Sequence, residues 1–327
     1  AKKADLMFLQ HMVACLKSDG MLATVMPHGV LFRGGDEKRI RAGMLDDDLV
    51  DAVIGLAPNL FYGTGIPASI LVLRNKGAKP ANRRGKVLFI NADREFYEGR
   101  AQNFLLSEHI EKIVSSFEAF ENVPAFARVV SIEELRENDY NLNIRRYADN
   151  TPEPEPQDVR AHLVGGVPVK EIQARQSLFD AHGFDPLAHF KARAGDSTYV
   201  DFAEGLDSRQ DLKPAIEDDA RLQAKEARLR EAFEAWWREH GTQITALSGN
   251  GKHLTQLRED LLSSFTAALE PLGMLDPFAV RGIIAGFWEQ NKNEFRTLQA
   301  RGVTGVVDAW RTSIITQLDD EQSKANP

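Results

Sequence analysis

The fold of this chain is decided by residues 49–74, which read LVDAVIGLAPNLFYGTGIPASILVLR. Two apolar runs rich in β-branched residues, at 49–56 and 68–74, flank an irregular connection with two prolines, two glycines and the adjacent aromatics Phe61 and Tyr62. Apolar runs of this kind predict strands that are buried on both faces, and the segments that join such strands commonly carry function. The role of the two aromatics is therefore the central question.

Composition indicates a soluble globular protein. The 327 residues are enough for two domains, and 43% hydrophobic with 27% charged residues is ordinary for that class. No apolar run is long enough to span a bilayer, so we expect no membrane association and a cytoplasmic location. Cys15 is the single cysteine, which excludes an internal disulfide framework and a zinc ribbon. The net charge of −8 argues against a general nucleic-acid coat.

The order of predicted elements in residues 1–150 indicates an α/β fold, the second half of a doubly wound sheet. A helix opens the chain, a strand follows at 21–27, and after another helix come strands at 49–56, 68–74 and 85–92. The connection between the strands at 49–56 and 68–74 is too short for a crossover helix. We therefore expect these two strands to form an antiparallel pair at the edge of the sheet. A parallel sheet closed by such a pair is typical of class I methyltransferases.

Three segments carry a resemblance to a known family: PHGVLFRGGDE at 27–37, NLFYGTGIPA at 59–68 and ENDYNLNIRRY at 137–147. They resemble the modification subunit of type I restriction–modification systems, an N6-adenine DNA methyltransferase. Weaker similarity to long members of that family extends through AHLVGGVPVKEI and DPFAVRGIIAGFW, so the resemblance covers essentially the whole chain. It implies methylation of adenine in DNA with S-adenosylmethionine, and it implies DNA, a sequence-specificity subunit and a restriction subunit as partners.

Two motifs of that family are missing from this sequence, the glycine-rich cofactor loop after the first strand and the N-P-P-[FY] motif that holds the target amine. The nearest glycine groups, Gly34-Gly35 and Gly63-Thr64-Gly65, stand in different contexts. In the family both motifs precede the helix with which this chain opens. We therefore expect residues 1–150 to be the C-terminal part of a methyltransferase domain. Alone, the chain should contain no catalytic residue, bind no cofactor and be inactive.

An alternative interpretation explains the missing motifs equally well. The chain could be a non-catalytic scaffold, or a DNA-binding or interaction module, derived from such a methyltransferase. The sequence by itself leaves the two interpretations open.

Phe61 and Tyr62 are the strongest candidates for a functional site. A base methyltransferase must extrude its target nucleotide, and the extruded base needs an aromatic face on which to stack. In the family this role belongs to an aromatic in the loop between the last two strands, the position that Phe61 and Tyr62 occupy. The structural alternative is that one ring plugs the end of the sheet. The loop residues that would support the rings are Asn59, Gly63, Thr64, Gly65 and Pro67.

A basic segment follows the strand at 68–74, and it could contact DNA phosphates near the extruded base. Its cations are Arg74, Lys76, Lys79, Arg83, Arg84 and Lys86. A solvated loop is an equally good interpretation. His28 ends a strand at the edge where α/β proteins bind ligands, but no catalytic partner accompanies it, which favours a surface or structural histidine. The consecutive acids at 46–48 indicate a solvated turn, and no metal site is predicted.

The Pro/Glu segment at 151–157 predicts a domain boundary, and residues 151–327 predict a mostly helical domain that binds partner subunits. A seam with alternating spacings of four and three contains Leu222, Glu226, Leu229, Phe233, Trp236 and His240. Amphipathic patterns also run through 254–269 and through a terminal helix that carries Val306, Trp310, Ile314 and Leu318. Phe233, Trp236 and Trp237 are the candidate partner seam; a single self-contained helical core is the alternative.

Overall fold

The computed structural model describes residues 4–151, 158–248 and 254–325. The chain separates into two compact units, residues 1–153 and 154–327. Residues 152–157 of the proposed Pro/Glu linker lie outside the described residues. Within the described residues, no helix combines the length and the apolar character that crossing a membrane requires.

The first unit is built on a five-stranded sheet, with a short hairpin beside it. In chain order the strands of this unit are β1 (Met21–Pro27), β2 (Val50–Leu56), β3 (Ala68–Arg74), β4 (Lys86–Ala92), the hairpin strands β5 (Tyr97–Glu98) and β6 (Asn103–Phe104), and β7 (Ala127–Ser131). The five strands of the sheet are hydrogen-bonded in the order β1-β3-β2-β4-β7.

The antiparallel pairing of β2 with β3 is confirmed, but its predicted place at the sheet edge is wrong. Strand β3 lies between β1 and β2 and is antiparallel to both. Consequently β1 and β2 run parallel to each other, and β4 runs parallel to β2. The apolar side chains of β3, such as Leu71 and Leu73, are buried, which requires neighbours that an edge position would not provide.

Helices cover both faces of this sheet. The helices of the first unit are α1 (Asp5–Ala14), α2 (Asp36–Asp46), α3 (Ser107–Ala119) and α4 (Ile132–Glu137). Val53 and Phe89 point into a core with Leu9 of α1 and Leu45 of α2. Their neighbours Ile54 and Ile90 point to the opposite face, into a second core that includes Ile113 of α3. Successive strand residues alternate between faces, so covering both faces explains the continuous apolar runs in the sequence.

The second unit is mostly helical, as the sequence indicates, but it also contains a small sheet that the sequence analysis did not predict. The elements are α5 (Val159–Val164), β8 (Val167–Pro168), α6 (Val169–Ala174), α7 (Gln176–His182), β9 (Phe190–Ala192), β10 (Tyr199–Phe202), α8 (Arg209–Glu217), α9 (Ala220–Thr245), α10 (Leu254–Leu269) and α11 (Pro277–Ala325). The three short strands form a sheet in the order β8-β10-β9.

The core of the second unit lies between α9, α10 and the first half of α11. Trp236, Leu257, Phe265 and Ile284 are all buried there. Helix α11 is interrupted at Gly302, whose φ of 68° and ψ of −172° are not helical. Taken together, an α/β sheet followed by a mostly helical unit confirms the predicted fold class.

Candidate functional site

The carboxyl ends of β1, β2 and β4 meet at one edge of the sheet, which we call the carboxyl edge. The register pairs Pro27 at the end of β1 with Ala68 at the start of β3, and Leu56 at the end of β2 with Ala92 at the end of β4. Ligands of α/β proteins bind outside this edge. The loop at residues 57–67, which carries the two aromatics and which we call the aromatic loop, therefore begins and ends at the edge expected for a binding site.

The tip of the aromatic loop is a tight turn that presents its rings to solvent. The Thr64 amide donates to the Phe61 carbonyl over 3.3 Å, and Gly63 takes a φ of 75° that favours glycine. Tyr62 is 97% exposed and Phe61 is 39% exposed. Such exposure excludes the alternative in which Tyr62 plugs the end of the sheet. The loop instead holds an aromatic face outward, as base stacking would require.

The base of the aromatic loop is held by the β5–β6 hairpin, a feature that sequence reasoning missed. Asn103 is 8% exposed, and its side-chain amide donates to the Pro58 carbonyl over 2.9 Å. The Asn103 backbone amide donates to the carbonyl of Asn59 over 2.8 Å. Asn59 adopts a φ of 56°, a conformation that asparagine tolerates better than most residues. In the sequence, Asn103 indicates this support only weakly, because its partners Pro58 and Asn59 are distant in the chain.

His28 contacts the far end of the same loop. Its Nε2 lies 3.1 Å from the carbonyl oxygen of Ala68, the residue at which the loop ends and β3 begins. Burial lowers the pKa of His28 below 6.5, while the Ala68 contact and the charge of Asp93 partly oppose that shift. A neutral imidazole can donate one hydrogen bond from Nε2 to this carbonyl. These contacts agree with the structural interpretation of His28. The residue supports the point at which the aromatic loop joins β3.

The segment at 137–147 returns to the carboxyl edge and closes it from one side. Arg145 pairs with Asp93, which follows β4, at 2.7 Å. Ile144 packs so closely on β2 that its Cδ1 lies 2.8 Å from where a Cβ of Gly55 would stand. Only glycine accommodates that approach without a shift of the neighbouring side chain. Residues that the sequence analysis used only as a motif therefore form part of the wall beside the aromatic loop.

The basic segment lies at the other end of the sheet, which corrects its predicted place near an extruded base. Strand β3 starts at the carboxyl edge and ends at Arg74 on the opposite edge, where β4 also begins at Lys86. Seven residues of strand separate the two edges by roughly 20 Å. The antiparallel direction of β3 fixes this placement, because β3 carries the chain from the carboxyl edge to the opposite edge.

Three of the six cations in the basic segment bind within the first unit instead of facing solvent. Asp51 is fully buried, and its Oδ2 accepts hydrogen bonds from Arg74 Nε at 2.7 Å and Arg83 Nη1 at 3.1 Å. The Lys79 ammonium is buried and donates to Asp48 over 2.6 Å and to the carbonyl of Lys86 over 2.7 Å. The predicted phosphate contacts of Arg74, Lys79 and Arg83 are therefore wrong.

The other three cations of the segment remain exposed. They are Lys76, Arg84 and Lys86. Lys76 forms an exposed ion pair with Asp47 at 2.6 Å. The predicted solvated turn at 46–48 is therefore solvated at Asp47, whereas Asp48 is half-buried against Lys79. The contribution of an exposed pair to stability is small because water and salt screen it. These three residues stay candidates for phosphate contacts, but at the edge opposite the aromatic loop.

The candidate partner seam of the second unit is divided between core and surface. Trp236 is buried, packs against Phe265 with ring centroids 4.8 Å apart, and donates from Nε1 to Ser264 Oγ over 2.9 Å. Its predicted role at an exposed seam is corrected, because this ring belongs to the core. Phe233 and Trp237 are 44% and 43% exposed and line an apolar groove of about 350 Å³.

Comparison with known proteins finds a family match for the first unit. The family described as N-6 DNA Methylase matches residues 1–156, which contain the five-stranded sheet and the aromatic loop. This part of the chain is similar to that family. The match agrees with the resemblance found in the three sequence segments.

The individual relatives are methylase subunits of type I restriction enzymes. The chain is 44% identical over 155 residues to the MjaVII type I restriction enzyme methylase subunit of Methanocaldococcus jannaschii, covering 46% of this chain and 26% of the relative. It is 34% identical over 180 residues to the MpnII methylase subunit of Mycoplasma pneumoniae, covering 54% and 32%. The chain is thus a relative of type I methylase subunits, and the matches span about a quarter to a third of their length.

A solved structure gives a similar match. The type I restriction-modification methyltransferase subunit from Streptococcus thermophilus is 46% identical, with a TM-score of 0.42. The alignment covers 45% of this chain and 31% of that chain.

Proposed function

We propose that this chain is part of the modification subunit of a type I restriction–modification system, and that the complete subunit methylates adenine N6 in DNA with S-adenosylmethionine. In this proposal the chain supplies the wall on which the extruded adenine stacks. The observation that carries it is the aromatic loop, whose exposed Tyr62 and Phe61 stand at the carboxyl edge of a sheet from the N-6 DNA methylase family. The proposed partners are DNA, a sequence-specificity subunit and a restriction subunit, all in the cytoplasm.

The physical argument for stacking rests on exposure and anchoring together. Burying an aromatic ring is favourable, so an exposed ring gains free energy when a partner covers it. A ring held in solvent on a fixed support therefore suits a ligand with a flat face. Asn103 holds one end of the loop and His28 contacts the other. An anchored loop loses less conformational freedom when the base arrives than a free one would.

The described residues do not fit S-adenosylmethionine. Gly63 and Gly65 lie between two strands, so neither leads into the N-terminus of a helix. Gly35 precedes α2, but Asp36 and Glu37 already place negative charge in the first turn of that helix. We expect no binding when this chain is titrated calorimetrically with S-adenosylmethionine, and tight one-to-one binding would contradict that expectation.

The stacking proposal is tested in the complete subunit assembled with its specificity subunit. DNA with 2-aminopurine in place of the target adenine reports extrusion by a rise in fluorescence, and labelled methyl groups report transfer. We expect Phe61→Ala and Tyr62→Ala each to weaken binding of the extruded base by about 1–3 kcal/mol, or about 5- to 150-fold. The matched control is Ile66→Ala, since Ile66 is 68% exposed in the same loop but is not aromatic.

Two results would count against this proposal. If both aromatic variants extruded the base and transferred methyl groups like the unaltered assembly, the stacking role would be wrong. If the unaltered assembly bound DNA without transferring any methyl group, the chain would instead belong to a non-catalytic DNA-binding module.

A further inference from the structure

The two aromatics of the aromatic loop differ in how much protein surrounds them. Phe61 is 39% exposed, so protein covers most of this residue, whereas Tyr62 is 97% exposed and has no protein against either face of its ring. A base that stacks in a pocket needs a wall, which is a ring with one face on the protein and the other face open. Phe61 fits that description and Tyr62 does not. A separate role for Tyr62 is therefore required.

The tip of the loop that carries Tyr62 is narrow. Gly63 and Gly65 have no side chains, and apart from their chain neighbours no described atom lies within 4 Å of where a Cβ of either residue would stand. At this point the loop is little wider than its backbone and the ring of Tyr62. A projection of this shape can enter a gap in a partner that a broad protein surface could not enter.

The tip is also held in one shape. The Thr64 amide donates to the Phe61 carbonyl over 3.3 Å, and the Ile66 amide donates to Thr64 Oγ1 over 3.2 Å. These two hydrogen bonds limit the directions in which the Tyr62 ring can point. A ring that is fixed before binding loses less conformational freedom when it is inserted into a partner.

Extrusion of a base from a DNA duplex creates a gap that such a tip fits. When a nucleotide rotates out, the base pairs above and below it lose their stacking partner, which is unfavourable. Proteins that deform DNA compensate by inserting an apolar side chain between base steps. A flat ring with both faces free can restore stacking on both sides of the gap, because every base offers a π-face. Tyr62 has both faces free.

The hydroxyl of Tyr62 also suits the base that stays in the duplex. After an adenine is extruded, the thymine opposite keeps an N–H donor and carbonyl acceptors without partners. A tyrosine hydroxyl can both donate and accept a hydrogen bond, so it can bind that thymine edge. A phenylalanine at position 62 could fill the gap but could not form these bonds.

We propose that Tyr62 enters the duplex and fills the space that the extruded adenine leaves, while Phe61 alone forms the wall on which the adenine stacks. Tyr62 is then a positioning residue, because it stabilises the extruded state without contacting the reacting atoms. The inference rests on the proposed function, since it requires an adenine that is extruded beside the aromatic loop. It adds a second binding site on this loop, for the interior of the duplex.

Methyl transfer by the complete subunit, assembled with its specificity subunit, tests this division on two duplexes. In the first, thymine stands opposite the target adenine. In the second, a pyrene nucleotide stands there, and its large flat ring fills the vacated space itself. Each variant is compared with the unaltered assembly on the same duplex, so any effect of pyrene on recognition of the site is common to all.

On the thymine duplex we expect Phe61→Ala and Tyr62→Ala each to slow single-turnover transfer by about 5- to 150-fold. On the pyrene duplex Tyr62→Ala should recover the rate of the unaltered assembly, because pyrene replaces the missing ring. Phe61→Ala should keep its full loss there, because pyrene cannot replace the wall of the pocket.

Three control measurements accompany the test. Tyr62→Phe keeps the ring and loses only the hydroxyl, so its rate on the thymine duplex should lie between those of the unaltered assembly and Tyr62→Ala. Ile66→Ala removes an exposed apolar side chain from the same loop and should match the unaltered assembly on both duplexes. Urea unfolding of Tyr62→Ala should coincide with that of the unaltered chain, because a residue that is 97% exposed contributes little to the core.

The possible results separate this inference from the proposed function. Equal losses for the two aromatic variants on the pyrene duplex would mean that both rings form the wall, which would overturn the inference and leave base stacking in place. Slower transfer by Phe61→Ala alone on the thymine duplex would overturn it as well. If neither variant slowed transfer on the thymine duplex, both the inference and the proposed stacking would be wrong.

Discussion

The two ends of the five-stranded sheet use opposite chemistry. At the carboxyl edge, apolar aromatic side chains are held in solvent, and Tyr62 is almost fully exposed. At the other edge, charged side chains are held inside, where Arg74 and Arg83 meet the buried carboxylate of Asp51. Both loops look functional in the sequence, one because of its aromatics and the other because of its cations.

The difference shows that a loop's composition does not tell where its side chains lie. A buried carboxylate is costly unless it is paired, so the cations of the basic segment are drawn inward to Asp51 and Asp48. Arg83 also donates to the carbonyls of Phe117 and Glu118 at the end of α3, which are the acceptors left open at a helix C-terminus. Exposed aromatics receive no such internal compensation. They are the stronger indication of a ligand.

Among the tests of this comparison, Asp51→Ala has the largest expected effect. Removing the carboxylate leaves Arg74 and Arg83 without their counter-charge, and we expect the free energy of unfolding to fall by about 3–5 kcal/mol. Urea unfolding measures the change. Asp47→Ala is the control, because its ion pair with Lys76 is exposed and should matter by less than about 1 kcal/mol. A loss below about 1 kcal/mol for Asp51→Ala would break the contrast between the two edges.

A smaller effect is expected at the base of the aromatic loop. Asn103→Asp removes the amide that donates to the Pro58 carbonyl, and we expect a loss of about 1–3 kcal/mol in the free energy of unfolding. Loosening the loop should also speed chymotrypsin cleavage after Phe61 and Tyr62. Arg100→Ala, at an exposed position of the same hairpin, should change neither quantity. Equal cleavage rates in both variants would show that the hairpin does not hold the loop.

The exposed cations at the opposite edge give a test by salt dependence in the assembled enzyme. If Lys76 and Lys86 contact DNA phosphates, replacing each by alanine should reduce the slope of log affinity against log salt by about 0.9. The 2-aminopurine signal should not change, because these lysines lie roughly 20 Å from the aromatic loop. An unchanged slope would assign them to solvated surface, and a changed extrusion signal would contradict their placement.

The smallest expected effect is the pH dependence contributed by His28. Burial lowers its pKa in the folded state, so the unfolded chain binds the proton more tightly. Stability is therefore complete above the ordinary pKa of 6.5 and falls as the pH drops through that value. His28→Gln keeps a donor for the Ala68 carbonyl but cannot titrate, and its unfolding free energy should vary less between pH 7 and pH 5. An equal or steeper dependence in the variant would show that His28 is not the source.

Much of the first unit was predictable because its signals are local. The apolar runs predicted β3 with its observed bounds and β2 to within one residue. The short connection predicted their antiparallel pairing. The order of the sheet was not predictable in the same way, because the position of β1 beside β3 depends on contacts between residues about fifty positions apart.

The aromatic loop separates what the sequence determines from what only the tertiary structure decides. By itself, the sequence determined that Phe61 and Tyr62 stand between two apolar strands, and its motifs indicated a resemblance to N6-adenine methyltransferases. Only the tertiary structure decided that Tyr62 faces solvent, that Asn103 and His28 hold the loop, and that the nearby cations belong to the opposite edge. The physical reason is that strand periodicity is written in neighbouring residues, whereas exposure and ion pairing depend on which distant segments meet.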